Sequence, residues 1–434
     1  MRAMMAEAVS RHAPCFRPAF SPAGPLQRTQ NNPKNGRDSR RHLRARGGGA
    51  AELGGEDVSA TQPTPSRNTG PAAGLCVAHL LLHPAEQPPI CHSYAITGTT
   101  SGTGYYAAQA AIERGAHVVL LLNRPSERAD ESHAKLVALA AASDADEATL
   151  VQKVPCDLQD FTSVRNAAEK MNKLMCNVFG GLDGLVNNAG VMGVPDTRTP
   201  DGYDVQMQTN HLSHFLLTSL LMPSLEAAVE SRGQARVVQH SSGARSKDRA
   251  TDGVGNLERS YFEKAAAGEL GGDSLGACFN RYHQTKLSNP VFTMALHEKL
   301  KAAKSDIKSI CAEPGVAATA LSANLEAGHL AAGNDLGGAM SAGGGYVPQS
   351  AADGAAPLIE AAFGQEVESG DFFMPGDFVN KTVIGMPVKC MTAGKPTPSG
   401  DWMNEKFDNE SLTMEIANRT VLWEASEVIV IQKR

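Results

Sequence analysis

The stretch Tyr94-Ala95-Ile96-Thr97-Gly98-Thr99-Thr100-Ser101-Gly102-Thr103-Gly104 runs from an apolar segment into a glycine-rich turn, and small apolar residues follow at Ala107, Ala108, Ala110, Ala111 and Ile112. Strand, glycine turn and helix start in that order make a phosphate site. Glycines let the backbone come close to a pyrophosphate, and the unpaired N–H groups of the first helical turn face it. The glycine spacing is Gly-x3-Gly-x-Gly rather than Gly-x-Gly-x2-Gly, and an ordinary glycine-rich loop between strand and helix would read the same way in isolation. Gly98, Ser101, Gly102 and Gly104 are the candidate phosphate-binding residues.

The next segment supplies context. His117-Val118-Val119-Leu120-Leu121-Leu122 reads as a strand buried on both faces. It ends in Asn123-Arg124, where dinucleotide sites often place an acid, about 20 residues beyond the glycines, on the ribose 2′-hydroxyl. A carboxylate would repel a 2′-phosphate, whereas the guanidinium of Arg124 would bind it, so these residues favour NADP(H) over NAD(H). A solvated surface arginine is the bland alternative. Further strands are expected near 149–154, 183–187, 235–240, 306–312 and 371–373. Helices are expected near 103–114, 127–142, 161–176, 203–230, 281–303 and 350–363. This alternation gives an α/β fold, a doubly wound parallel sheet of Rossmann type with right-handed crossovers. Its site lies at the carboxyl ends of the strands, where the sheet order reverses.

Tyr282-His283-Gln284-Thr285-Lys286 places a phenol and an ammonium four residues apart. On a helix both project from one face. The ammonium is expected to lower the tyrosine pKa toward working pH, as a proton donor or acceptor in carbonyl or alcohol chemistry requires. The bare pair is more often a solvated helix edge.

Taken in order, Thr97-Gly-x3-Gly-x-Gly104, Cys156-Asp157-Leu158, Asn187-Asn188-Ala189-Gly190, Asn210, Ser241-Ser242, Tyr282-x3-Lys286 and Pro314-Gly315 resemble the short-chain dehydrogenase/reductase family over residues 93 to 376. Thr209–Phe215 and Leu422-Trp423-Glu424-Ala425-Ser426 are similar to its retinol dehydrogenase and protochlorophyllide reductase branch. The resemblance implies roles. Tyr282 would move the proton, and Lys286 would lower its pKa and hold the nicotinamide ribose. Ser242, rather than Ser241, would hold the substrate oxygen, and Asn210 would hold a relay water. Asp157 would bind the adenine edge, Asn188 would line the adenosine ribose, Ala189 and Gly190 would belong to the cofactor site, and Pro314, Gly315 and Thr319 would frame the nicotinamide. Each has a plainer reading: Ser241-Ser242 as a strand end, Asn210 or Asp157 as a helix cap, Asn187–Gly190 as a turn. Ser242 and Tyr282 stand forty residues apart, so residues 244–280 form an insertion relative to shorter members, carrying Lys247, Asp248, Arg249, Tyr261 and Phe262. Residues 316–349, with Gly343-Gly344-Gly345, correspond to the family's mobile substrate lid.

The chain has 434 residues and a net charge of −6, and the charge is unevenly spread. Residues 1–50 hold nine arginines and one lysine against Glu7 and Asp38, a net +8, which leaves −14 for the remainder. The acidic remainder argues against nucleic-acid binding. The leader is arginine-rich, poor in acids and without an apolar core, which is the character of an organelle transit peptide and favours a plastid over a mitochondrion; a basic nucleic-acid arm and simple disorder are the alternatives, and a cytoplasmic location follows if it is not a transit peptide. Cys15, Cys76, Cys91, Cys156, Cys176, Cys278, Cys311 and Cys390 show no Cys-x2-Cys pair, so neither a metal site nor a disulfide framework is expected. No apolar stretch suggests a membrane span; His211–Val229 is leucine-rich but interrupted by His214, Thr218 and Glu226. The expected organisation is a disordered leader over 1–92, interrupted late by an apolar patch from Leu75 to Leu82 and by Pro88-Pro89, a single catalytic domain over 93–376, and a C-terminal extension over 377–434 packed on it. The expected partner is a small-molecule carbonyl or alcohol, apolar or amphipathic, and the chain a monomer or homodimer. A tetrapyrrole double-bond reductase and an NADPH-sensing interaction protein without turnover are the rivals; the complete Asn-Ser-Tyr-Lys set argues against the second.

Overall fold

The structure, a computed structural model, describes residues 92–143, 148–245, 255–319, 321, 348–379, 382–397 and 410–431. The leader up to residue 91, Lys247, Asp248 and Arg249 of the insertion, and the glycine-rich centre of the expected lid (322–347) lie outside the described residues, and with them the expectations of disorder and of a mobile lid.

Seven strands run parallel: β1 (Ser93–Thr97), β2 (Val118–Asn123), β3 (Leu150–Pro155), β4 (Gly184–Asn187), β5 (Ala235–His240), β6 (Ile307–Ala312) and β7 (Phe372–Val379). β8 (Thr382–Thr392) and β9 (Lys395–Pro396) then add antiparallel pairs. The order is β3-β2-β1-β4-β5-β6-β7-β8-β9, so the winding reverses between β1 and β4. Ligand crevices open above such a reversal.

The helices are α1 (Gly102–Glu113), α2 (Glu127–Ala141), α3 (Phe161–Leu174), α4 (Ser213–Arg232), α5 (Leu275–Ala303), α6 (Ala351–Phe363) and α7 (Ile416–Ile431). The period of two along each strand divides its side chains between two cores. Ala95, Leu120, Leu185 and Val237 join the core under α3, α4, α5 and α7. Ile96, Val119, Leu121, Val186 and Val238 join the core under α1, α2 and α6. With both faces covered, β2 is apolar from Val118 to Leu122, as its sequence requires. The alanines of α1 leave room for α6, and Ala110 packs on Ala355 and Ile359.

Two elements differ from the sequence expectation. The single helix expected over 203–230 is broken. Asp204 caps a short turn, Val205–Met207, by accepting from the Met207 N–H at 2.9 Å, a π-turn follows at Gln208–Leu212, and α4 starts only at Ser213. The C-terminal boundary at 376/377 falls inside β7, whose hairpin with β8 continues the sheet. Beyond it, α7 lies on α5, with Trp423 against Phe215 at 5.2 Å and Arg165 donating to the Ile429 carbonyl at 2.8 Å. The helical run Val205–Arg232, which ends in α4, is long and apolar enough to cross a membrane by length and composition, but most of its apolar stretch is buried within the fold.

Candidate active site

The glycine turn is built by close approach. Gly98 has φ 72°, and a Cβ there would stand 2.8 Å from Ala189 Cα. At Gly104 a Cβ would strike the Asn188 carboxamide and the Gly98 carbonyl. The end of β4 is stitched to this turn from the other side. Thr97 Oγ1 accepts from the N–H groups of Asn188 and Ala189, each at 2.9 Å. The Asn188 side chain donates to the Thr97 carbonyl (2.9 Å) and accepts from Thr103 Oγ1 (2.9 Å), with His240 Nδ1 also 2.9 Å from its Oδ1. The Asn188 carboxamide is thereby part of the scaffold of the turn.

Ser101 is the N-cap residue of α1, yet its side chain caps no N–H group of the helix. It accepts instead from Arg128 Nη2 at 3.3 Å. Gly102 has φ 63°, and the Thr319 methyl lies 3.3 Å from where its Cβ would be. Thr319 thus stands over the glycine turn. Asn123, at the position often held by an acid, folds back on the turn through Thr99, and Arg124 beside it is exposed. Asp157 accepts from the Gln159 N–H at 2.9 Å, within its own turn. The cap of α3 is Asp160, which accepts from the Thr162 N–H at 2.8 Å, so Asp157 is not that helix cap.

The second group comes from β5, the π-turn and α5. The Ser242 side chain stands close enough to the Tyr282 phenol to act on its protonation. Ser241 faces away and donates to the Lys286 carbonyl at 2.8 Å. That carbonyl is open to it because Pro290, four residues on, has no N–H to give. Ser241 therefore ties the Lys286 turn to β5, while Ser242 meets the phenol. Lys286 Nζ donates to the His240 carbonyl at 2.9 Å and lies 5.8 Å from the Tyr282 ring centre. The Asn210 carboxamide accepts from the Val191 N–H (2.8 Å) and donates to the Val191 carbonyl (2.8 Å) and Thr285 Oγ1 (2.9 Å). It sits in the π-turn, not at a helix cap. A Cβ on Gly190 would lie 3.2 Å from Asn210 Oδ1 and 3.6 Å from Lys286 Nζ, which brings Gly190, Asn210 and Lys286 to one point. Gly315 turns at φ 65° after Pro314, whose carbonyl accepts from Gln349 Nε2.

The electrostatics correct one expectation. The Tyr282 phenol has its pKa pushed up, chiefly by burial and further by the Glu313 carboxylate, while Ser242 pulls it down. Burial outweighs the lowering expected of the Lys286 ammonium. Lys286 is itself lowered to about 8 by burial. Neighbouring histidines are held neutral by the same cause, His214 at about 4 and His240 at about 3.

Several residues enter the site that carry no local pattern in the sequence. Arg245 and Glu313 pair beside Ser242, with Glu410 on the other side of the guanidinium. The described part of the insertion is docked rather than loose. Arg198 donates to the Ala265 and Ala266 carbonyls (2.8 and 2.6 Å), and Arg281 donates to those of Leu270 and Gly272 (3.0 and 2.8 Å). These residues meet only through the tertiary fold, and no spacing announces them.

Residues 93–253 match the family model described as short chain dehydrogenase. Polyprenol dehydrogenase of Homo sapiens is 33% identical over 246 residues, covering 55% of this chain and 64% of that protein. Short-chain dehydrogenase TIC 32 A, chloroplastic, of Brassica napus is 33% identical over 232 residues, covering 52% and 64%. Retinol dehydrogenase 13 of Homo sapiens is 31% identical over 227 residues, covering 52% and 59%. The chain thus spans a little under two thirds of the length of these relatives. With the parallel sheet, the glycine turn at its reversal and the Ser-Tyr-Lys group beside it, the chain is similar to the short-chain dehydrogenases, polyprenol and retinol dehydrogenases among them.

Proposed function

We propose that this protein is an NADP(H)-dependent oxidoreductase that interconverts a carbonyl and an alcohol on an apolar or amphipathic small molecule. The observation that carries the reading is the convergence of Ser242, Tyr282, Lys286, Asn210 and Gly190 at the same end of the sheet as the glycine turn. The residues present fit a dinucleotide. The start of α1 has no side-chain cap, so its first N–H groups are available to a pyrophosphate. Arg124 is exposed and Arg128 reaches Ser101, which sets two guanidinium groups where a 2′-phosphate would be met. Asp157 would serve the adenine, Asn188 the adenosine ribose with Ala189 and Gly190 beside it in the cofactor site, and Pro314, Gly315 and Thr319 the nicotinamide side.

A bound nicotinamide supplies the hydride. Tyr282 passes the proton to or from the substrate oxygen, and Ser242 holds that oxygen. The buried phenol is kept protonated, which suits donation to a carbonyl. Lys286 would hold the nicotinamide ribose, and Asn210 would hold a water that relays protons to solvent. Two relatives are named for a polyprenol and for retinol, both apolar alcohols, and this supports the substrate class. The chloroplastic relative supports reading the basic leader as a plastid transit peptide. Two measurements test the proposal. NADPH consumption with aldehydes and ketones of graded chain length should show turnover; binding of NADPH with none turned over would favour a sensor. Deleting residues 2–50 should leave melting temperature and NADPH affinity unchanged and strand the protein in the cytosol; an uncleaved cytosolic full-length chain would refute the transit reading.

A further inference from the structure

Arg245, Glu313 and Glu410 form a closed ionic group in the interior. Arg245 and Glu313 have no exposed surface, and Glu410 is 4% exposed. One arm of the guanidinium pairs with Glu313 Oε2, and the other stands 2.8 Å from Glu410 Oε1. The guanidinium carbon also lies 4.4 Å from the centre of the Phe372 ring. A buried ion pair of this kind contributes little net stability, because desolvation offsets the attraction and apolar residues of similar volume often do as well. A role in geometry is the better physical account.

That geometry is specific. The Ser242 carbonyl accepts from the backbone N–H of Arg245 at 3.0 Å and from its Nη1 at 3.3 Å. One residue therefore grips the Ser242 turn by both backbone and side chain. Glu313 is the residue before Pro314-Gly315, and its N–H is anchored on the Phe373 carbonyl at 2.9 Å. Glu410 comes from the C-terminal segment and accepts from Cys390 Sγ at 3.8 Å. The group joins three parts of the chain at the turn that presents Ser242 to Tyr282.

We propose that Arg245, clasped by Glu313 and Glu410, is a positioning residue for the Ser242–Tyr282 pair, so that the C-terminal segment controls the proton-transfer geometry through Glu410. The proposal rests on Tyr282 as the proton carrier. Two carboxylates on one guanidinium also leave net negative charge near the phenol, and Glu313 is among the groups that hold Tyr282 protonated.

The test uses the full-length chain carrying 13Cζ-tyrosine, with the Tyr282 resonance among seven tyrosines assigned by Tyr282→Phe. In Glu410→Gln, which keeps shape and removes charge, and in Arg245→Met, the Tyr282 resonance should move while the other six stay. Arg245→Lys should return it part of the way. For NADPH-dependent reduction, kcat should fall by up to about 10²-fold in Glu410→Gln with KM for NADPH unchanged, as for a small misplacement of reacting groups. An unmoved Tyr282 resonance in folded Glu410→Gln and Arg245→Lys overturns the proposal, as does a loss that appears only in melting temperature. If wild-type protein turns over no carbonyl compound, the proposed function fails separately, and the resonance still decides this point.

Discussion

The Asn123 carboxamide holds Thr99 twice, accepting from its N–H at 2.9 Å and donating to its Oγ1 at 2.7 Å. The end of β2 is thereby bound to the glycine turn by a neutral side chain, and the charge at this corner is left to Arg124 and Arg128. Arg124→Ala should lower NADPH affinity by roughly tenfold to a few hundredfold, the value of one charge-assisted bond to phosphate, and barely alter NADH affinity. Asn123→Asp should move the preference toward NADH. Fluorescence titration with both cofactors checks this, and equal wild-type affinity for the two would refute the assignment.

Tyr282→Phe keeps the ring and removes the transferable proton. Turnover should fall by about 10²–10⁴-fold, the usual worth of general acid help, with NADPH binding little changed. Steady-state kinetics beside a cofactor titration separates the two effects, and near-normal turnover in the variant would remove Tyr282 from its role.

Lys286 carries a charge that the fold does not welcome. Its pKa is lowered to about 8 from 10.5. Between those values the unfolded chain binds a proton that the folded chain has released, so stability rises with pH across that window, and below it the folded protein bears the full cost of a buried ammonium. A tenfold loss of proton affinity on folding corresponds to roughly 1.4 kcal/mol. Lys286→Met should therefore raise the melting temperature at pH 7, with a gain that shrinks as pH climbs from 8 toward 10.5, while NADPH binding and turnover drop. A variant that melts lower at pH 7 would contradict the account.

Acid should act on the buried histidines by the same rule at lower pH. His211, His214 and His240 are lowered to about 3, 4 and 3, all by burial. Below the ordinary histidine value of about 6.5 the unfolded chain takes up protons that the folded chain refuses, so stability is lost as pH falls from there. His211, ringed by Phe215, Phe262 and Phe292 and 2.8 Å from Ser426 Oγ, is the cleanest probe. His211→Gln should reduce the slope of unfolding free energy between pH 6 and 5 by about one proton, roughly 1.4 kcal/mol per pH unit. Denaturant titrations at the two pH values measure it, and an unchanged slope would show that His211 does not titrate on unfolding.

The strands were legible because burial on both faces writes long apolar runs, as at Val118–Leu122, and the glycine turn was legible because only glycine tolerates Ala189 so close. The choice of Ser242 over Ser241 came from family resemblance alone; that Ser241 is tied to the Lys286 carbonyl, left open by Pro290, is a contact no spacing announces. What escaped was relational. The break at Gln208–Leu212 leaves the Asn210 carbonyl to His214 and Asn289, and those partners lie on two different helical segments. The protonation of Tyr282 was misjudged because spacing shows a neighbouring ammonium but not the depth at which both groups are buried, and burial dominates. Arg245, Glu313 and Glu410 lie as much as 165 residues apart, and their meeting is a property of the sheet's winding.

The two outermost strands of the sheet bear on how copies of the protein meet one another. At one rim β9 is only two residues long, a lysine and a proline. At the other, β3 ends in Pro155 and exposes Lys153, which pairs with Asp130 at 2.5 Å. Short strands, lysine and proline are the features that discourage a second chain from adding its backbone to an open margin. A protein with so broad a single layer of strands can in this way reach high concentration without its sheet becoming a template for cross-chain pairing.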